Sequence, residues 1–249
     1  MKPVWIVKQE AGVLNIYLYD IIEADGQDWW TGEKIESDTS ANHIQKVLQD
    51  AGEVSAINIY INSYGGDVKE GLAIYNQLKR HKAYKTVYVD GFACSIASVI
   101  AMVGDKVVMG NNTLMMIHNA SMGAWGTSQE LRKAADDLDV INSAAISSYK
   151  AKAGDKLTDE TLQTLLNAET WLTAQQCVEY GLADAVADDA ESEELKAAKQ
   201  RLKESKQAEM AALRERMNPS AKVPPELATQ KTNAEKLMAV FKKNMEESK

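Results

Sequence analysis

Ala56-Ile-Asn-Ile-Tyr-Ile-Asn-Ser-Tyr-Gly-Gly66 is an apolar, β-branched run that ends in a double glycine. It reads as a short strand over residues 56–61 followed by a tight turn. Residues 68–81 come next, with Leu72, Ile74, Tyr75 and Leu78 on one stripe of an amphipathic helix. Another short strand follows at 86–89. Strand, helix and parallel-type return make one α/β unit, and the pattern extends in both directions. Further strands are expected at 4–7, 13–18, 106–109 and 113–117. Further helices are expected at 40–50, 95–103, 128–152, 158–166 and 173–180. The segment 95–103 is apolar nearly all round, which marks a buried helix.

The pattern changes near residue 188. Beyond it, the periodic segments are charged and helical, and Asn218-Pro-Ser-Ala-Lys-Val-Pro-Pro225 reads as a linker because its prolines cannot continue a helix. The expected organisation is therefore an α/β domain over 1–187 and a charged helical tail over 188–249, with the linker at 218–225. Of the net charge of −8, the tail, with 13 Lys+Arg and 12 Asp+Glu, contributes +1, and the first 187 residues, with 15 Lys+Arg against 24 Asp+Glu, carry −9. An acidic domain argues against a nucleic-acid partner, which needs a basic face. No run of 18 apolar residues is present, so no membrane span is expected. The N-terminus lacks the apolar core of a signal peptide. Two cysteines without CxxC spacing suggest neither a disulfide framework nor a zinc site, and point to the cytoplasm.

Three segments carry chemistry. In Gly91-Phe-Ala-Cys-Ser-Ile-Ala-Ser98, Ser95 stands between a strand and an apolar helix. A serine there is a candidate nucleophile on a sharp turn, although the same place suits an ordinary N-cap serine. Ser98 is the competitor, but it lies a turn into the helix. In Met115-Met-Ile-His-Asn119, His118 ends an apolar strand and is the candidate general base; the other histidines, His43 and His81, fall in or beside amphipathic helices. Gly65 and Gly66 let backbone N–H groups approach a ligand closely, as an oxyanion hole requires. They match neither phosphate-binding glycine motif. Spacing alone does not choose an orienting acid among 36 carboxylates.

Taken together, these segments resemble the proteolytic subunit of the Clp protease, and more closely the Clp-related head maturation proteases of tailed phages and prophages. The likeness rests on Ile61-Asn-Ser-Tyr-Gly-Gly66, Gly91-Phe-Ala-Cys-Ser95, Met116-Ile-His118 and Glu169-Thr-Trp-Leu-Thr-Ala-Gln-Gln-Cys-Val-Glu-Tyr-Gly-Leu-Ala-Asp184. It runs from about residue 13 to 187. The resemblance implies a spiral of ββα units shared with crotonase-like enzymes. It implies serine endopeptidase chemistry with Ser95 as nucleophile, His118 as base and Glu169 as the orienting acid, with Asp184 as the fallback. It implies backbone oxyanion donors at Gly66 and Ile96, no metal and no cofactor. The family's turn has Pro where this chain has Tyr64, and usually Asp where it has Glu169.

The same resemblance implies a homo-oligomeric ring, with the long helix at 128–152 at the subunit contact. The polar loop holding Trp29 and Trp30, together with the charged tail, points to the maturation branch. Its protein substrates would be scaffold, capsid or portal proteins within a host-cytoplasmic procapsid. The competing readings are an ATPase-driven housekeeping Clp subunit, an inactive ring-forming scaffold protein, and an acyl-CoA enzyme of the crotonase type.

Overall fold

The computed structural model describes residues 7–10 and 12–187. The expected tail and linker, and most of the strand expected at 4–7, lie outside these residues. In chain order the elements are β1 (Val7–Glu10), β2 (Val13–Tyr19), β3 (Gly26–Gln27), β4 (Lys34–Ile35), α1 (Ala41–Ala51), β5 (Ala56–Ser63), α2 (Val68–Arg80) and β6 (Tyr84–Cys94). They continue with α3 (Ile96–Ala101), β7 (Lys106–Gly110), β8 (Leu114–Ile117), α4 (Ser128–Ala153), a 3-10 turn at Gly154–Lys156, α5 (Asp159–Asn167), β9 (Thr170–Thr173), α6 (Ala174–Glu179) and β10 (Ala185–Ala187).

The fold is mixed α/β around a mostly parallel sheet of order β1-β2-β5-β6-β7-β10. Its inner face follows from strict alternation. Leu14, Ile16 and Leu18 of β2 align with Ile57, Ile59 and Ile61 of β5, and all six are fully buried. Each such side chain contributes about 1.5–3 kcal/mol on burial. On the other face Tyr17 stacks on Tyr60 at 4.6 Å and Tyr60 on Tyr88 at 5.1 Å, one ring from each of three neighbouring strands.

α2 starts at Asp67, whose carboxylate accepts from the amides of Lys69 and Glu70. It buries Ile74, Tyr75 and Leu78 of the stripe read from the sequence, while Leu72 is partly buried. α3 is buried along its whole length, as its composition requires.

One strand departs from expectation in a way that places the site. β6 does not stop at Val89 but runs to Cys94 and changes partner on the way. Residues 86–89 pair with β7, whereas residues 92–94 pair with β8. β8 in turn pairs antiparallel with β9, a strand that the sequence pattern did not single out. The carboxyl ends of β5, β6 and β8 thus converge at Gly65, Ser95 and His118.

Candidate active site

Ser95 follows the last residue of β6 and precedes the first residue of α3. Its backbone is at φ 53°, ψ −127°, a conformation that costs a non-glycine residue about 1–3 kcal/mol. Its amide is held by the Met116 carbonyl of β8 at 2.8 Å. Although Ser95 occupies the N-cap position, its side chain makes no capping hydrogen bond. The hydroxyl instead lies 2.7 Å from His118 Nε2. With His118 protonated at Nδ1, the serine hydroxyl donates to Nε2, the arrangement in which imidazole takes the proton as the oxygen attacks. The capping role is therefore not what fixes this serine.

The Asn-Ser-Tyr-Gly-Gly turn is fastened from both sides. Asn62 Oδ1 accepts from the Phe92 amide at 3.2 Å. Ser63 Oγ donates to the Asp20 carbonyl at 2.5 Å and accepts from the Gly65 amide at 3.0 Å. Gly65, at φ 97°, lies against the serine turn: a Cβ there would sit 2.8 Å from Ser95 Cβ and 3.2 Å from the Ile96 amide nitrogen. Gly66, at φ 148°, has Ile22 O where its Cβ would be. Both positions demand glycine. The turn thereby packs Gly65 directly against the Ser95–Ile96 peptide.

Glu169 is exposed and follows α5 with φ 49°. Its amide donates to Leu166 O at 3.2 Å. The β8–β9 ladder ends with Ile117 paired to Thr170, so His118, which follows the first, and Glu169, which precedes the second, lie at the same end of that ladder. Among the described residues no hydrogen bond joins the two side chains. Asp184 is engaged elsewhere. Its carboxylate accepts from the Val107 amide at 2.6 Å and pairs with Lys152 at 2.6 Å, holding β7 to the end of α4.

Ser98, the competing serine, is fully buried and bonded to Tyr149, so it presents no free hydroxyl to a substrate. His81 Nδ1 accepts from the Ala83 amide, a local turn contact. His43 Nδ1 lies 3.9 Å from Asp38. Neither reaches the serine. Val68, Val99, Ile141 and Ala145 wall an apolar cleft beside Ser95 and His118. Burial pushes the thiol of Cys94, next to the serine, up to about 11, which keeps it neutral and unreactive. Among the described residues no group of three His, Cys, Asp or Glu side chains is placed to hold a metal ion.

Asn62, Ser63 and Tyr149 were not read from the sequence as parts of this site. Asn62 and Ser63 lie inside the quoted motif, but their bonds reach Phe92 and Asp20, far away in the chain.

The family model of the Clp protease matches residues 27–190, about two thirds of the sequence. The chain belongs to the Clp protease family. Serine peptidase chemistry is the class this membership carries. It is 35% identical over 190 residues to an ATP-dependent Clp protease proteolytic subunit of Ligilactobacillus salivarius, covering 75% of this chain and 95% of that protein. It is 29% identical over 205 residues to the subunit of the same name from Bacteroides fragilis, covering 73% and 94%. A third relative, proteolytic subunit 1 of Prochlorococcus marinus, is 29% identical over 161 residues, covering 63% and 81%. The matched segment contains every residue discussed above from Gly65 to Asp184.

Proposed function

We propose that this Clp-family chain is a serine endopeptidase acting through an acyl-enzyme on Ser95. The observation that carries the proposal is a strained serine whose hydroxyl meets an imidazole at 2.7 Å instead of capping its helix. In the proposed reaction Ser95 Oγ attacks the scissile carbonyl while His118 Nε2 takes its proton. The Gly66 and Ile96 amides hold the tetrahedral oxyanion. His118 then protonates the leaving amine as the C–N bond breaks, and water repeats the sequence to release the acyl group. Glu169 orients the imidazole and stabilises its charged form. Its place at the His118 end of the β8–β9 ladder favours it over Asp184, which is committed to Val107 and Lys152. Neither metal nor cofactor enters this chemistry.

The target reading is head maturation: cleavage of scaffold, capsid or portal proteins by a ring of these chains in the host cytoplasm. Two features support it. Trp29 and Trp30 stand 87% and 79% exposed on the β3–β4 hairpin, and 59 residues extend beyond the family match. In this reading the charged segment 188–249 is a scaffold-like or targeting arm, removed by the enzyme itself. A ring is supported by α4, whose first half leaves Leu131 and Val140 exposed. Among the described residues no helix is long and apolar enough to cross a membrane.

The names of the relatives favour a second reading, an ATP-dependent proteolytic subunit. Incubating the full chain with an unfolded protein substrate, alone and with a Clp unfoldase plus ATP, separates the two. Cleavage by the chain alone, not stimulated by the ATPase, is the maturation outcome. Cleavage only with ATPase and ATP is the housekeeping outcome. No cleavage under any of these conditions removes the endopeptidase proposal.

A further inference from the structure

The long helix α4 reaches the serine turn through two buried hydroxyls. Tyr149 is 1% exposed and Ser98 fully buried. Ser98 Oγ lies 2.6 Å from Tyr149 Oη and 2.5 Å from the Ser95 carbonyl oxygen. A carbonyl only accepts, and a serine hydroxyl carries one proton. Ser98 therefore donates to Ser95, and the Tyr149 hydroxyl donates to Ser98. The Ser98 amide donates to the same carbonyl at 3.0 Å.

That carbonyl shares one planar trans peptide with the Ile96 N–H, so the two point in opposite directions. Tethering the oxygen inward turns the N–H outward, to the side where Gly65 packs against the turn. The turn needs such a tether, because Ser95 sits in a sparsely populated conformation with no capping bond of its own. Building on the peptidase reading, we propose that Tyr149 and Ser98 are positioning residues: their hydroxyl relay holds the Ser95–Ile96 peptide plane and so aims the oxyanion donor. The relay makes α4 part of the catalytic apparatus, although α4 supplies no group to the reacting bond.

A buried hydroxyl pair that only satisfies itself would affect stability and nothing else, so the test separates stability from turnover. Ser98→Ala alone strands the Tyr149 hydroxyl and is expected to unfold more easily. The double variant Ser98→Ala/Tyr149→Phe removes both partners and is expected to keep a near-normal Tm. For the full chain we would measure Tm, kcat and KM on a fluorogenic peptide, and the rate of Ser95 labelling by a fluorophosphonate. In the double variant kcat and the labelling rate should fall about 10- to 100-fold with KM unchanged, the mark of a misaimed transition-state contact. The pH dependence of labelling should not move, because His118 is untouched. Tyr149→Phe alone, which keeps the packing, should show a smaller loss of about 3- to 10-fold. Wild-type kcat and labelling in a folded double variant would overturn the relay. Should the double variant not fold, wild-type labelling in Tyr149→Phe would do the same. A wild-type chain that is not labelled at Ser95 removes the peptidase reading, and the relay with it; that control distinguishes the two failures.

Discussion

Gly65 and Ser95 are in backbone contact across two strands: a Cβ on Gly65 would stand 2.8 Å from Ser95 Cβ and 2.8 Å from the Cys94 carbonyl oxygen. Neither obstacle is the end of a flexible side chain, and φ at Gly65 is 97°. Gly65→Ala is therefore expected to push the serine turn away from the Gly-Gly strand end. Turnover should fall about 100-fold or more, since displacements of about 1 Å cost that much. Circular dichroism and peptide hydrolysis on the same preparation check this; a folded variant with near-normal kcat would contradict the proposed placement of the oxyanion donors.

Ser95 stores backbone strain, and that strain is measurable. Ser95→Ala and Ser95→Gly both remove the hydroxyl, but only glycine relieves φ 53°. The glycine variant is expected to be more stable than the alanine variant by about 1 kcal/mol, after allowing for glycine's extra unfolded-state entropy. Denaturant titration of the two inactive variants provides the comparison. Equal midpoints would mean that the turn is relaxed.

Glu169 and Asp184 predict opposite phenotypes. Glu169→Gln should lower kcat by orders of magnitude while leaving the denaturation midpoint nearly unchanged, because the carboxylate is exposed but is proposed to orient His118. Asp184→Ala should leave the chemistry of Ser95 intact but lower stability by about 1 kcal/mol. That figure allows for the partial exposure of the carboxylate that holds Val107 and Lys152. Kinetics and denaturation of both variants test the pair; near-normal turnover in Glu169→Gln would leave a Ser-His dyad.

The cysteines should be silent. Burial pushes Cys94 up to about 11 and Cys177 up to about 12. The reactive thiolate is therefore almost absent at neutral pH and grows only as pH rises toward those values. Iodoacetamide at pH 8 is expected to leave the mass of the native protein unchanged and to add two carbamidomethyl groups after denaturation. Rapid native alkylation at Cys94 would contradict its burial beside the serine.

Much of this architecture is local and therefore legible in the sequence. The alternation in residues 13–18 and 56–61, the stripe on α2 and the all-apolar α3 each report their own burial. The missed parts depend on distant partners. β6 was expected to end before Gly91, because glycine usually interrupts a strand. It continues because residues 92–94 pair with β8, and the glycine is there because Asn62 Oδ1 lies 2.4 Å from where a Cβ on Gly91 would stand. β9 is four residues between two helices, and only its ladder with β8 identifies it. That ladder also brings Glu169 and His118 to the same end, something residue spacing along the chain does not reveal. Ser98 competes with Ser95 on sequence alone, because the bond that commits it to Tyr149 spans 51 positions.

The central claim is that Ser95 is an activated nucleophile. Intact mass spectrometry after incubation with a fluorophosphonate, on the wild-type chain and on Ser95→Ala, tests it most directly. The account predicts one phosphonyl adduct on the wild type and none on the variant. An unmodified wild-type chain, or an adduct that persists in Ser95→Ala, would contradict it.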